Sequence, residues 1–250
     1  MSDIKEQITN HRSIRKYRQE PVPDDMLRRI LEAGISASNT GNMQVYSMVV
    51  TKDESLRKQL WEVHFRQNMV LQAPVHITFC ADVNRFSKWC RARDAEPAYE
   101  NLLWFCNATI DATLASQNVV LAAESFGLGV CYIGTAIYNA GRIIEILKLP
   151  KGVIPVTALV MGYPDEQPPL TGRLPLEAVV HHETYRDDAN EDIVRLYAGL
   201  EATEQTRNLL EINQKETLAQ VFTDKRYPRK DNEAVSASYM EVLKRQGFLE

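Results

Sequence analysis

Cysteine is scarce in this chain: four in 250 residues, at Cys80, Cys90, Cys106 and Cys131, with no C-x-x-C pair and no histidine at metal-ligand spacing. That pattern excludes a disulfide framework or a zinc site and reads as small buried hydrophobes in a reducing compartment. Positive charge is also short, since 29 Lys and Arg against 33 Asp and Glu leave a formal charge of -4. An extended nucleic-acid surface needs a basic stripe that this balance does not provide, so no nucleic-acid partner is expected. Long apolar runs are missing too. The longest apolar stretch, 102–126, is interrupted by Asn107, Asp111, Ser116, Gln117, Asn118 and Glu124, and no run reaches the length of a membrane span. The opening residues are polar through Asn10 and lack the apolar region of a secretory signal, so the expected location is the cytoplasm.

Several catalytic signatures are equally absent. No Walker A sequence, H-E-x-x-H or G-x-S-x-G occurs, which removes the usual support for nucleotidase, metalloprotease and hydrolase chemistry. His181-His182-Glu183 reads as a surface loop, because adjacent histidines on a strand point to opposite faces and no further ligand lies near. Gly127-Leu128-Gly129 has the start of a dinucleotide fingerprint, but it follows a helix and leads into a strand, the reverse of the order that puts a pyrophosphate on a helix N-terminus. Those glycines read as a helix C-cap and tight turn. No metal is expected.

What is present is an ordinary globular composition, 44% apolar and 25% charged, enough for a sizeable core. Asp3 with Glu6 predicts a capping pair for a helix ending near His11, with Ile4, Ile8 and His11 on one face. A second helix follows Pro23, with Asp24 and Asp25 in its first turn and Leu27, Ile30, Leu31, Gly34 and Ile35 at helical spacing. Strands are expected at 45–50, 75–81, 130–133 and 153–161, with Pro155 marking an edge position or the first residues of the last one. Thr51-x-x-Glu54 predicts a capping box for a third helix with Leu56, Leu60 and Val63 inward. Residues 85–96 read as a charged loop, and 143–149 as a short helix. The segment from Tyr99 to Phe126 is too long and too evenly apolar for a surface helix and is expected to be buried on most sides, with Asp111 a hydrogen-bonded polar group inside it. From Asp187 the pattern is helical and more charged. The organisation expected is a core over 1–186 and a helical extension of the same domain over 187–250.

His11-Arg12-Ser13-Ile14-Arg15 is the densest chemical signal. Two guanidinium forks, a hydroxyl and an imidazole in five residues suit a phosphate dianion held by charge-assisted hydrogen bonds; a basic helix end explains the same residues equally simply. Around it stand Asn39 in the polar loop Ser38-Asn39-Thr40, Gln67, the strand end Tyr132-Ile133-Gly134-Thr135, and Arg173 in Gly172-Arg173-Leu174-Pro175. Together with H-R-S-I-R before E-P-V, the run E-S-F-G-L-G-V-C-Y-I-G and G-R-L-P, the chain resembles the FMN-dependent nitroreductase and flavin reductase family, in its oxygen-insensitive, NADPH-preferring branch.

The resemblance implies an α+β sandwich, a central mixed and mainly antiparallel sheet flanked by helices, assembled as an intertwined homodimer with two FMN sites at the interface. It implies that Arg12, Arg15 and Arg173 hold the FMN phosphate, with His11 and Ser13 in the same loop. Asn39 and Gln67 would contact the ribityl chain or ring edge, and the backbone of Tyr132, Ile133, Gly134 and Thr135 would border the ring. Thr171 stands where relatives often carry a lysine, which removes one positive charge. The implied activity is ping-pong hydride transfer from NADPH through FMN N5 to a small-molecule acceptor such as a nitroaromatic, quinone or flavin, with no catalytic side chain required. Two other readings remain: a flavin store or redox sensor without turnover, and a flavin reductase supplying reduced FMN to a partner. Lys225, Arg226, Arg229 and Lys230 put four positive charges into six residues. They read either as a solvated basic turn on a mobile loop or, given the family's preference for NADPH, as a nicotinamide 2′-phosphate site centred on Arg226 and Arg229.

Overall fold

A computed structural model describes residues 4–250; Asp3, and with it the expected Asp3–Glu6 cap, lies outside the described residues. The chain forms two compact units, Met1–Pro169 with Ala237–Glu250, and Leu170–Ser236.

In the first unit the helices and strands run α1 (Ile4–Thr9), α2 (Asp24–Ile35), β1 (Tyr46–Thr51), α3 (Glu54–Val63), α4 (Met69–Gln72), β2 (Val75–Asp82), α5 (Asn84–Arg91), α6 (Leu102–Ser125), β3 (Gly129–Ile133), α7 (Ala140–Leu147) and β4 (Val153–Gly162). The second unit holds α8 (Asn190–Glu201), α9 (Glu204–Asn213) and α10 (Leu218–Val221), and α11 (Arg229–Gln246) begins in it and returns to the first from Ala237. The sheet has four strands in the order β1-β2-β4-β3, every pair antiparallel. The parallel component is an isolated bridge between Ser13 and Val130.

All of β2 is buried, because helices cover both faces of the sheet. Val75, Ile77, Phe79 and Ala81 point into one core with Ala108, Ala112, Ala115 and Val119 of α6, as period-2 alternation requires. The opposite layer packs Leu60, Val70, Ile143, Ala158 and Val160 under α3, α4 and α7. A register shift between Phe79 and Cys80 moves the alternation of β4 by one residue, so Ile154 and Val156 share a core with Leu159 and Met161.

The expected strands are all present within two residues of their expected ends. Of the two readings of Pro155 the second holds: it lies in the first residues of β4, which sits between β2 and β3 and is not an edge strand. It is tolerated because β3 reaches β4 only from Ala158 onward, so near Pro155 one side of β4 has no neighbour to which an N–H would donate. Thr51 ends β1 and caps nothing. The cap of α3 is Asp53, whose carboxylate accepts from the Leu56 N–H at 2.8 Å. The charged loop expected over 85–96 contains α5, whose buried side is only Ser87 and Cys90. Cys106 is exposed, contrary to the buried reading, while the other three thiols are buried and all four are free. Helix α6 is not covered on most sides. Its small residues face the sheet, and Leu103, Ile110 and Leu114 are 65%, 55% and 43% exposed on the other face.

Candidate cofactor site

The segment 11–18 is threaded between β3 and the chain after β4. The Ile14 N–H donates to the Val130 carbonyl at 2.8 Å, Arg18 N–H to Tyr163 at 3.0 Å, and Asp165 N–H back to Lys16 at 2.9 Å. Buried Ile14 and Tyr17 anchor it, and the Tyr17 hydroxyl donates to the Ile14 carbonyl at 2.6 Å. Close approach at β3 needs glycine: a Cβ on Gly129 would lie 2.7–2.9 Å from three Ile14 side-chain atoms. Gly127, at φ +78°, is the turn that ends α6 and aims β3 along this seam, as its helix-stop reading anticipated.

With Ile14 and Tyr17 pinned, the polar residues between and before them stay accessible. His11, Arg12 and Ser13 are half-buried, and Arg15 and Lys16 are exposed. The structure sorts them into two neighbouring clefts. His11 and Arg12 line one of about 550 Å³ with Arg18 and Glu124; Arg15 and Gln67 line another of about 440 Å³. Glu166 borders both.

Two carboxylates hold the segment, and neither was singled out from sequence for this. Glu124 Oε1 sits 2.6 Å from His11 Nδ1, while Glu166 Oε1 accepts the backbone N–H groups of Arg15 at 2.5 Å and Lys16 at 3.1 Å. Glu124 was legible only as an interruption of an apolar helix, and Glu166, in a short Pro-Asp-Glu loop, carried no signal. Arg12 donates from Nη1 to the Asn10 carbonyl at 3.3 Å, yet its Nε is buried without a partner.

At the far end of β3 the Tyr132 hydroxyl pairs with Ser116 Oγ at 2.8 Å, Ile133 is buried, Gly134 is exposed and Thr135 half-buried. A Cβ on Gly134 would meet nothing within 4 Å, so the backbone here faces open space. The loop after α3 turns sharply through Phe65 and Arg66 at φ +55° and +56° and brings Gln67 back. Its Nε2 donates to the His64 carbonyl at 3.0 Å and to Thr135 Oγ1 at 3.3 Å. The His64 ring, wholly buried, places Nδ1 2.8 Å from the same hydroxyl. Desolvation holds the His64 pKa down to about 4 and that of buried His76, its ring neighbour at 5.4 Å, to about 3. His64 had no sequence signal.

Asn39 shares no hydrogen bond and neither cleft with these residues. Its side chain is spent on its own loop, donating to Ala37 and accepting from the Gln44 N–H. Thr40 ties that loop to α6 by its N–H and hydroxyl, both to Asp111 Oδ1, at 2.8 and 3.0 Å, so Asp111 is the buried, bonded group expected. In the second unit Arg173 is exposed and donates to the Thr171 and Gly172 carbonyls. The basic run is not one mobile loop: Lys225 and Arg226 lie in a helical turn, Phe222–Arg226, and Arg229 and Lys230 open α11. Arg226 sits over the Phe222 ring and Arg229 lies 3.7 Å from Glu233. His182 and Glu183 are exposed in a loop, and no cluster of metal-ligating groups occurs among the described residues.

Fold and site define an α+β protein with a cationic segment running beside a strand that ends at open glycine backbone. The chain belongs to the Nitroreductase family, whose model matches residues 8–163. It is 37% identical over 196 residues to an FMN reductase [NAD(P)H] of Bacillus subtilis, covering 74% of this chain and 75% of the relative. It is 38% identical over 186 residues to an oxygen-insensitive NADPH nitroreductase of Salmonella typhimurium, covering 74% and 76%. A crystal structure from Bacteroides fragilis, 48% identical, superposes with a TM-score of 0.96 over 98% of this chain and all of its own. The NADPH:FMN oxidoreductase of Vibrio harveyi complexed with NAD+, 28% identical, gives 0.84 over 99% of each.

Proposed function

We propose that this chain is an FMN-dependent oxidoreductase that takes a hydride from NADPH, or NADH, and passes it to a small-molecule acceptor: a nitroaromatic, a quinone or a flavin. The observation that carries the reading is the joining of Gln67 to Thr135 beside open backbone at Gly134, with Arg15 on the same cleft as Gln67. The residues fit the group. Arg12 keeps a buried N–H without an acceptor, and a guanidinium fork matches a phosphate dianion. The open Gly134 backbone leaves room for a flat ring. Relatives named for FMN and NADPH support the same choice.

In this reading Arg12 and Arg15 hold the phosphate, with His11 and Ser13 in the same segment. Gln67 and the backbone of Tyr132, Ile133, Gly134 and Thr135 orient the ring. Arg173 and Asn39 join them on the strength of the family resemblance alone. Bound FMN supplies two-electron hydride transfer at its N5, so the protein supplies no nucleophile or general base. Its residues would bind and orient the group. Arg226 and Arg229 are the candidates for the NADPH 2′-phosphate.

In this reading the exposed apolar face of α6, with Leu103, Ile110 and Leu114, packs against a second copy of this chain in a homodimer. No described helix is long and apolar enough to cross a membrane; the cytoplasm is the location we propose.

The purified protein is expected to be yellow with an FMN spectrum and to oxidise NADPH steadily when a quinone is added. Bound FMN without turnover would reduce it to a flavin store or sensor. A protein that takes up no FMN would overturn the reading.

A further inference from the structure

Thr135 and His64 form a pair that the cofactor reading does not itself require. His64 is the residue after α3 and is wholly buried. A neutral imidazole has one N–H and one bare nitrogen, and which is which depends on what each nitrogen meets. Nδ1 lies 2.8 Å from Thr135 Oγ1, whereas Nε2 is buried with no partner. Its neighbour His76 also has both ring nitrogens unpartnered. A proton on Nε2 would therefore be a buried donor with nothing to receive it, costlier than a buried bare lone pair. The proton belongs on Nδ1.

That choice fixes the hydroxyl. Thr135 Oγ1 then accepts from His64 Nδ1–H and from the Gln67 amide at 3.3 Å, which uses both of its lone pairs. Only its O–H remains uncommitted. Thr135 is half-buried and follows the open backbone of Gly134, so its O–H is the polar group of this bracket left for a ligand. We propose that His64 is a positioning residue: by donating from Nδ1 it turns the Thr135 hydroxyl into a hydrogen-bond donor to an acceptor atom on the edge of the bound flavin, and it locks Gln67 in the same bracket. This rests on the FMN reading above. A donor at that edge stabilises the electron density that reduction adds to the ring, so it raises the midpoint potential of bound FMN.

The test uses the full-length holoprotein and two readouts other than turnover: the midpoint potential of bound FMN and the tautomer of His64 by nitrogen NMR. Thr135→Val is expected to lower the potential by the equivalent of a threefold to tenfold (about) loss in preference for reduced over oxidised FMN, the worth of one neutral hydrogen bond. His64→Leu should do the same. Thr135→Ser keeps the hydroxyl, and His64→Asn keeps an N–H close to the place of Nδ1; both should hold the wild-type potential. If His64→Leu fails to fold, the threonine variants and the tautomer still decide. A His64 protonated on Nε2, or a yellow Thr135→Val protein at the wild-type potential, would overturn this proposal alone. A wild type that binds no FMN would overturn the cofactor reading and this with it.

Discussion

Arg12 and Arg15 are three residues apart and line neighbouring clefts that share Glu166, Arg12 with Glu124 and Arg15 with Gln67. Each guanidinium stands near a carboxylate that serves the backbone or His11 rather than the arginine, so its charge stays available for a ligand. A charge-assisted contact to phosphate is worth about 1.5–3 kcal/mol, and removing one weakens binding by about tenfold to more than a hundredfold. Arg15→Ala and Arg12→Ala should each lose FMN affinity on that scale in a fluorescence titration of apo-protein; unchanged affinity in both would move the phosphate elsewhere. A sharper discrimination applies to the exposed pair Arg226 and Arg229. Neutralising both should raise KM for NADPH severalfold and leave NADH kinetics nearly unchanged, since NADH has no 2′-phosphate to lose. Equal effects on the two nucleotides would place that phosphate at other residues.

Among the elements, the layer between α3 and β2 carries the clearest physical liability. His64 and His76 stay neutral there, with pKa values near 4 and 3, against about 6.5 in an unfolded chain. Below about pH 6.5 the unfolded state binds protons that the folded state refuses, so stability is full above that pH and falls as the pH is lowered toward 4. The slope is about 1.4 kcal/mol per pH unit for each histidine. Urea midpoints should therefore drop steeply from pH 7 to pH 5, and His76→Leu should remove about half of that slope; a flat profile would mean that water or charge reaches the pair. None of this was legible beforehand, because a histidine in an apolar run looks the same whether it is paired or stranded. The strands were legible, since Val75 to Ala81 is a run that only a doubly covered strand can bury, and the Gly127 stop was legible because a left-handed turn needs glycine. Helix α5 was not. Its inner side is only Ser87 and Cys90, too little apolar surface to show a helical period among so many charges.

At the scale of the whole molecule, the cationic segment could be read early because its chemistry is compressed into five consecutive residues. What lay hidden were its supports: Glu124 arrives from 113 positions away and Glu166 from about 150, and contacts at that separation leave no local pattern. The long helix was half legible. Its apolar content marked it as a core element, but the small residues Ala108, Ala112 and Ala115 satisfy the sheet, and Leu103, Ile110 and Leu114 are left on the other side. An exposed apolar row of this kind is unfavourable for an isolated soluble chain and marks an interaction surface. A second copy is the occupant consistent with a site whose Asn39 loop is tied to this same helix through Asp111. Light scattering at micromolar concentration should give a dimer mass. Leu103→Glu together with Ile110→Glu, seven residues apart and so on one face, should give a monomer that has also lost FMN, because separating the copies would open the shared site. The wild type running as a monomer with FMN fully bound would defeat the assignment, as would a monomeric double variant that keeps its flavin.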